Sequence, residues 1–292
     1  MSEFRAGFVA LLGPPNVGKS SLMNAILGQR LAIVSAKPQT TRSRILGILP
    51  RDGAQILFLD TPGRHESPKK LNEALNSIVE EVARDCDVAC LLVDRCVGWT
   101  DVHEELAEAL RAQGRPTLVV GTKSDLARAK RNPWPLDAAP SEWPAHAVSS
   151  REGDGIEALL DGIVEALPVS PPLYGEDDLT DRPMRWLCGE MIREAVFGLL
   201  DQELPYAMAV DVLSFDESNP KVLKISANLL VERDSQKRIV VGKGGSMIKK
   251  IGIRSREAIE AWVGRKVHLE LFVKVDPSWQ KSDRRIEELG YS

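Results

Sequence analysis

The chain has 292 residues, of which 43% are hydrophobic and 27% are charged, and its formal net charge is −4. This composition is that of an ordinary globular protein, and the length suits two domains that each bury a core. The sequence lacks the ~18 to 20 consecutive apolar residues of a membrane helix and the features of a signal peptide, so we expect a cytoplasmic protein.

The four cysteines show no CxxC spacing, and no histidine stands near them at metal-ligand spacing. This pattern is typical of reduced thiols in a reducing compartment, and it argues against a structural metal site.

Short apolar runs alternate with amphipathic stretches in the first part of the chain. Strands are predicted at GFVALLG (from Gly7), QILFLD (from Gln55), VACLLVD (from Val88), RPTLVVGTK (from Arg115) and PAHAVSS (from Pro144), and helices at 19–27, 70–83, 102–112 and 156–167. Apolar strands separated by helices predict an α/β domain whose mostly parallel sheet has helices on both faces.

Residues 168–183 are rich in proline and acidic residues and have no periodicity, which indicates a domain boundary. A helix from Met184, two strands around YAMAVDVLSF and VLKISANLLVE, a glycine loop that opens a helix to about Val263, and a strand from Val267 follow. This α-β-β-α-β order predicts a smaller α+β domain. The predicted division is therefore 1–168 for the first domain, 169–184 for a linker, and 185–292 for the second domain with its C-terminal tail.

The sequence GPPNVGKSS satisfies G-x-x-x-x-G-K-[ST] and lies between a predicted strand and a predicted helix, as in a phosphate-binding P-loop. The glycines let backbone N–H groups face the β- and γ-phosphates, Lys19 supplies a positive charge, and Ser20 offers a hydroxyl to Mg²⁺. The predicted contacts are Gly13, Pro14, Pro15, Asn16, Val17, Gly18, Lys19, Ser20 and Ser21.

The sequence DTPGR follows an apolar strand and supplies further candidates for the phosphate site. Asp60 is the carboxylate expected beside Mg²⁺, and Gly63 offers an N–H where a γ-phosphate would lie. Arg64 stands where small signalling GTPases have a water-orienting glutamine, so we expect slow intrinsic hydrolysis and leave the water-positioning residue unassigned. The predicted contacts here are Asp60, Thr61, Pro62, Gly63 and Arg64.

The sequences TKSD and SSRE, each at the end of a predicted strand, point to the base. Asp125 can accept from both N1–H and the 2-amino group of guanine, which adenine cannot offer in that pattern. Thr122 replaces the asparagine usual in N-K-x-D, so we expect guanine preference with affinity weaker by ~0.5 to 1.5 kcal/mol. The predicted contacts are Thr122, Lys123, Ser124, Asp125, Ser149 and Ser150.

A second glycine loop, in VVGKGGSMIKKIG, lacks the G-K-[ST] ending and is not followed by a base-reading motif. Residues 237–266 contain nine Lys/Arg against two Glu, a local charge of +7 on an acidic protein. This distribution, in a predicted strand-turn-helix context, favours the phosphates of an RNA strand. The predicted RNA contacts are Lys237, Arg238, Gly242, Lys243, Gly244, Gly245, Lys249 and Lys250.

The first set of motifs, with KPQTTRSR at 37–44, resembles P-loop GTPases of the translation-factor class, and G-x-x-G in the second domain resembles a KH domain. With LPY, LVER, VHLELFVKV and LGY, the resemblance to Era-type GTPases covers nearly the whole chain. It implies that GTP and GDP are the ligands. It also implies that Mg²⁺ is held by Ser20, Asp60 and one threonine of TTR, either Thr40 or Thr41. The catalytic set it implies is Lys19, Thr40, Thr41 and Gly63.

The same resemblance implies a switch in small ribosomal subunit assembly that binds the 3′ end of small-subunit ribosomal RNA. It also implies peripheral association with the inner face of the cytoplasmic membrane, and we expect a monomer. The alternative is a constitutive RNA-binding protein whose first domain senses GDP or GTP with negligible hydrolysis. An ATP-using RNA remodelling enzyme is disfavoured by Asp125 and by the lack of helicase motifs.

Overall fold

The computed structural model describes residues 3–34, 41–61, 82 and 84–290. These residues form two compact units, of which the second takes in the C-terminal part of the chain from Arg182. The first unit is α/β and the second is α+β, as the sequence predicts. Within these residues, no helix is long and apolar enough to cross a lipid bilayer.

The first unit contains a mixed sheet in which the described strands lie in the order β2-β3-β1-β4-β5-β6. Only β2 is antiparallel to its neighbour, β3; the other described pairs are parallel. The strands are β1 (Arg5–Leu12), β2 (Ile45–Arg51), β3 (Ala54–Asp60), β4 (Val88–Asp94), β5 (Thr117–Thr122) and β6 (Ala145–Ala147).

Strand β2 lies outside the predicted strands because Gly47 and Pro50 interrupt its apolar run. Its position at the sheet edge tolerates the proline, which has no N–H to donate. Gly47 leaves room for a neighbouring side chain, since a Cβ there would lie 2.6 Å from Cδ1 of Leu27, which would have to shift.

The two longest described helices of the first unit bury residues spaced three and four apart against this sheet. On α4, for example, Ile156, Leu159, Leu160 and Ile163 are buried. The helix predicted over 70–83 lies almost entirely outside the described residues. The helices are α1 (Lys19–Leu27), α2 (Asp101–Gln113), α3 (Ala127–Arg131) and α4 (Ile156–Ala166).

The segment after α4 runs along the first unit as an irregular strap. Ser170 donates its N–H to the carbonyl of Phe4 at 3.0 Å, and Ile48 on β2 donates to the carbonyl of Leu179 at 2.9 Å. The buried side chain of Gln55 accepts from the N–H of Leu173 (2.8 Å) and of Tyr174 (3.0 Å) and donates to the Tyr174 carbonyl (2.9 Å). Most of the acidic, proline-rich segment therefore has fixed partners in the first unit.

The second unit packs its helices on a sheet of order β7-β8-β9, with β7 antiparallel and β9 parallel to β8. Its core joins apolar residues of the first helix, the middle strand and the helix after the glycine loop, including Ile192, Leu229 and Ile259. The elements are α5 (Met184–Leu199), β7 (Ala209–Asp216), β8 (Val222–Val231), α6 (Asp234–Val241), α7 (Ser246–Val263), β9 (Lys266–Val275) and α8 (Asp283–Glu288).

The residues before the second glycine loop form helix α6, so the predicted strand-turn-helix context is wrong and the order is α-β-β-α-α-β-α. The β-branched run from Ile239 to Val241 suggests a strand. The start of the helix is instead set by Gln236, whose side-chain oxygen accepts from the N–H groups of Glu232 (2.9 Å) and Arg233 (3.0 Å). Such a side-chain cap satisfies N–H groups next to the first turn.

Residues after β9 are fixed to the second unit by side chains. Trp279 is fully buried, and its indole N–H donates to the carbonyl of Ala207 at 3.2 Å. Gln280 donates to the carbonyl of Tyr206 at 2.8 Å. The C-terminal segment therefore contributes to the core of this unit.

Candidate functional site

The predicted phosphate and base motifs meet at the carboxyl ends of β1, β3, β5 and β6. The loop 13–18 joins β1 to α1, Asp60 ends β3, Thr122 ends β5, and Ser149 follows β6. In open α/β sheets this edge is where ligands bind. Thr40, Pro62, Gly63 and Arg64 lie outside the described residues, so their predicted roles stay predictions.

The loop 13–18 has a backbone that only particular residues adopt. Gly13 has φ 140°, and a Cβ there would lie 2.7 Å from the carbonyl oxygen of Leu92. Gly18 (φ 110°) precedes the first turn of α1, and Asn16 (φ 60°) is also left-handed. Successive residues of this kind turn N–H groups toward one concave surface, which suits a phosphate.

Lys19 folds back over this loop. Its Nζ donates to the carbonyl oxygens of Gly13 at 2.9 Å and Pro14 at 3.0 Å. Burial lowers the pKa of the lysine from 10.5 to about 8, against the opposing attraction of the Asp60 carboxylate. The side chain is thus a desolvated cation at the place where phosphates would enter.

Ser20, Thr41 and Asp60 form an oxygen cluster. The Ser20 hydroxyl donates to Oδ2 of Asp60 at 2.6 Å, and the Thr41 hydroxyl lies 3.0 Å from Ser20 Oγ and donates to the same Oδ2 at 3.2 Å. Burial raises the pKa of Asp60, while the Ser20 hydrogen bond and the charge of Lys19 lower it. Of the two candidate threonines, Thr41 is the one described at this cluster.

The oxygen atoms of this cluster suit Mg²⁺. The ion prefers hard oxygen ligands from carboxylates and hydroxyls, which is the chemistry of this set. Oδ1 of Asp60 is buried and has no hydrogen-bond partner within the described part of the chain. An unsatisfied buried carboxylate oxygen is costly unless a cation or donor reaches it.

Thr122 and Lys123 both contact the phosphate-binding loop. The Thr122 hydroxyl donates to the carbonyl of Val17 at 2.6 Å, and Nζ of Lys123 donates to the carbonyl of Asn16 at 2.9 Å. Lys123 also forms an ion pair of 2.7 Å with Asp94 at the end of β4.

Asp125 is oriented by Ser149. The hydroxyl of Ser149 donates to Oδ1 of Asp125 at 2.9 Å and accepts from the N–H of Glu152 at 3.1 Å. Ser124 and Ser150 lie in the same two turns. The structure thus brings TKSD and SSRE together, as a site for one base requires.

Sequence reasoning missed Asp94 and the side-chain role of Ser149. A signal for Asp94 exists, because it ends a buried apolar strand in the same way that Asp60 does. The hydrogen bond from Ser149 to Asp125 joins residues that are 24 positions apart, and no local pattern indicates it.

The second glycine loop is a single turn of 3₁₀ helix, Lys243–Gly245, between α6 and α7. Gly242, Gly244 and Gly245 have φ between 59° and 79°. A Cβ at Gly244 or Gly245 would meet nothing within 4 Å, whereas at Gly242 it would lie 2.8 Å from Cβ of Met247. The last two glycines therefore leave open space beside the backbone, where a phosphate can approach.

Five predicted RNA-binding cations surround this loop, and all of them are exposed. Within the part of the chain that the structure describes, none of the five takes part in an ion pair, so their charges are not neutralised locally. They are Lys237, Arg238, Lys243, Lys249 and Lys250.

Family models match each of the two units. Residues 8–123 match the family described as 50S ribosome-binding GTPase, and residues 203–280 match the KH domain. The fold and the nucleotide site define a P-loop GTPase joined to a KH domain.

Proteins that are similar to this chain over its full length identify the family within this class. GTPase Era of Geobacter metallireducens is 41% identical over 100% of this chain and 99% of its own, and GTPase Era of Thermotoga maritima is 41% identical over 99% and 98%. The chain belongs to the Era family of GTPases.

Two solved structures agree with this assignment. A crystal structure of Era in complex with MgGDPNP and nucleotides 1506–1542 of 16S ribosomal RNA is 36% identical, covers 99% of both chains and has a TM-score of 0.93. A variant of Aquifex aeolicus Era bound to GDP.AlF4⁻ is 35% identical, covers 99% of this chain and 100% of its own, and has a TM-score of 0.89.

Proposed function

We propose that this chain is a Mg²⁺-dependent GTPase that binds the 3′ end of small-subunit ribosomal RNA through its KH domain and acts as a switch in small ribosomal subunit assembly. The observation that carries the proposal is the likeness, over 99% of the chain, to an Era structure that holds both a Mg²⁺-bound GTP analogue and 16S ribosomal RNA.

The phosphate end of the site supports this role residue by residue. Lys19 would contact the β- and γ-phosphates, and Ser20, Thr41 and Asp60 would hold Mg²⁺, which neutralises phosphate charge when it is bound. The short distances among the three oxygen-bearing side chains support a shared ion. Thr40 and Gly63 remain predicted members of the catalytic set.

Guanine selection would depend on Asp125. A carboxylate there accepts from N1–H and the 2-amino group together, and the Ser149 hydroxyl holds one of its oxygens in place. GTP should therefore outcompete ATP, and equal competition by ATP would contradict the assignment.

The division into residues 1–168, 169–184 and 185–292 is part of the proposal. Peripheral membrane association stays a prediction of the resemblance, and a cytoplasmic location and a monomeric state also stay predictions.

RNA binding can be tested at the second glycine loop. Replacing Gly244 and Gly245 by Asp places two carboxylates in open space, where they should repel phosphates, at the cost of some backbone strain because both positions have a left-handed φ. We expect the double variant to lose binding of a 16S 3′-end oligonucleotide and to keep GTP binding. Gly264→Asp is the matched control, because Gly264 also has a left-handed φ (70°) and open space, at the other end of α7.

Salt dependence gives a second measurement on the same RNA. Each lysine that reaches a phosphate of a single strand should contribute about 0.7 to the slope of log affinity against log salt. Lys249→Gln with Lys250→Gln should therefore reduce the slope by roughly 1.4 if both contact phosphates. An unchanged slope would remove these two lysines from the interface.

Turnover separates the switch from the alternative of a constitutive RNA-binding protein. The intact chain should hydrolyse GTP, with stimulation by the bound RNA, and Lys19→Ala should abolish this activity. RNA binding with no turnover for the substitution to remove would favour the alternative. Equal RNA affinity in the GTP and GDP states would contradict a switch.

A further inference from the structure

The hydroxyl of Thr122 is committed to the phosphate-binding loop. Thr122 is 1% exposed, and its hydroxyl donates to the carbonyl of Val17 at 2.6 Å, at the short end of O–H···O distances, with the carbonyl of Val93 at 3.3 Å. A threonine hydroxyl has a single proton to donate. That proton is used within the protein.

The guanine edge that carries O6 and N7 offers only acceptors. A residue that contacts this edge must donate, and Thr122 has no further proton to give. The expectation that its hydroxyl substitutes for the usual asparagine amide at the base therefore does not fit the hydrogen bonds of this chain.

The neighbouring residue, Lys123, also donates a hydrogen bond to the phosphate-binding loop. Lys123 donates to the carbonyl of Asn16, so two consecutive residues at the end of β5 hold two consecutive carbonyls of the loop. The loop needs such support because Asn16 has a positive φ, which costs free energy in a residue with a side chain unless surrounding contacts compensate.

We infer that Thr122 is a positioning residue that preorganises the phosphate-binding loop and does not read the base. This inference rests on the proposed GTP site and adds a role for the one position where the base motif departs from N-K-x-D. Its consequence is that Thr122 contributes equally to binding of any nucleotide, whichever atoms the base presents.

Thr122→Val tests this role, because valine keeps the shape and removes the hydroxyl, and Thr122→Ser is the matched control that keeps it. Loss of the donor leaves the carbonyl of the buried Val17 unsatisfied, so we expect binding of GDP and GTP to weaken by about 5- to 30-fold. Thr122→Ser should bind both close to the unmodified chain.

Modified nucleotides distinguish positioning from base contact. 7-Deaza-GTP lacks the N7 acceptor, and 6-thio-GTP has a weaker acceptor in place of O6. Thr122→Val should weaken binding of GTP and of both analogues by the same factor. A larger loss for GTP than for either analogue would show a base contact and overturn the inference, as would unchanged binding of all three.

Hydrogen exchange in the nucleotide-free protein measures the mobility of the loop, which a contact with the base cannot affect because no base is present. The amides of Gly13 and of residues 16–18 should exchange faster in Thr122→Val than in Thr122→Ser, and equal rates would overturn the inference. Failure of the unmodified chain to bind GTP at all would instead overturn the proposed function on which it rests.

Discussion

The hydroxyl of Ser149 donates to Oδ1 of Asp125 across 2.9 Å, which ties the turn after β6 to the residue proposed to select guanine. One carboxylate oxygen is thus fixed before any ligand arrives. Since binding improves when ligand-contacting groups are held in place beforehand, Ser149 should matter for guanine without contacting it through its side chain.

Ser149→Ala is therefore expected to weaken GTP binding by about fivefold, which corresponds to one lost hydrogen bond of ~1 kcal/mol. The preference for GTP over ATP should narrow by a similar factor. Competition binding with both nucleotides measures this, with Ser170→Ala as the control, because within the described residues that exposed hydroxyl donates only to the adjacent Pro171 carbonyl. Equal loss for GTP and ATP would argue against a role in base selection.

The lowered pKa of Lys19 predicts that nucleotide binding depends on pH. Burial lowers the pKa of Lys19 to about 8, so the ligand-free protein loses this positive charge as the pH rises through that value. A bound phosphate favours the charged form, so binding takes up a proton above pH 8 and affinity falls, by up to about one log unit per pH unit. Titrations between pH 7 and 9.5 should show the decline.

Two variants check that the decline belongs to Lys19. Lys19→Met should bind GTP weakly and without this dependence, while Lys130→Met, which removes an exposed cation on α3, should keep the profile of the unmodified chain. A decline that persists in Lys19→Met would assign the titration to another group.

Asp60→Asn should separate ion binding from fold stability. The amide oxygen can still accept from Ser20, and removal of a buried carboxylate lowers a desolvation cost. We expect a melting temperature of the ligand-free protein no lower than that of the unmodified chain. GTP affinity should become insensitive to Mg²⁺, measured with and without EDTA. Asp52→Asn in the exposed turn between β2 and β3 is the control.

Trp279→Ala should destabilise the second unit. A fully buried tryptophan replaced by alanine typically costs about 3 to 5 kcal/mol, and here the hydrogen bond to the Ala207 carbonyl is lost as well. Chemical denaturation should show an earlier unfolding transition, while GTP binding stays unchanged because Trp279 belongs to the other unit. The neighbouring exposed Lys281→Ala should leave the transition where it is.

The sequence predicts the phosphate-binding loop well because its information is local: glycines, a lysine and a hydroxyl stand between one strand and one helix. It predicts poorly where partners are distant. The contact between Thr122 and Val17 spans 105 positions, and nothing in TKSD indicates which way the hydroxyl points.

The prediction of secondary structure from the sequence fails at two places, for related reasons. In β2, Gly47 and Pro50 weaken the strand pattern, and the sheet edge and the packing of Leu27 make both residues acceptable. In α6, β-branched residues suggest a strand, and the capping side chain of Gln236 decides for a helix. Tertiary and capping contacts overrode local propensity in both cases.

The strap along the first unit has a practical consequence for dissecting this protein. Gln55 is 2% exposed and directs its whole side-chain amide to the backbone of Leu173 and Tyr174. A fragment that stops at residue 168 would remove the partners of these polar atoms, at about 1 to 3 kcal/mol for each one that stays buried. An isolated nucleotide-binding fragment should therefore extend to Asp181, where the edge of β2 also keeps its contact with Leu179.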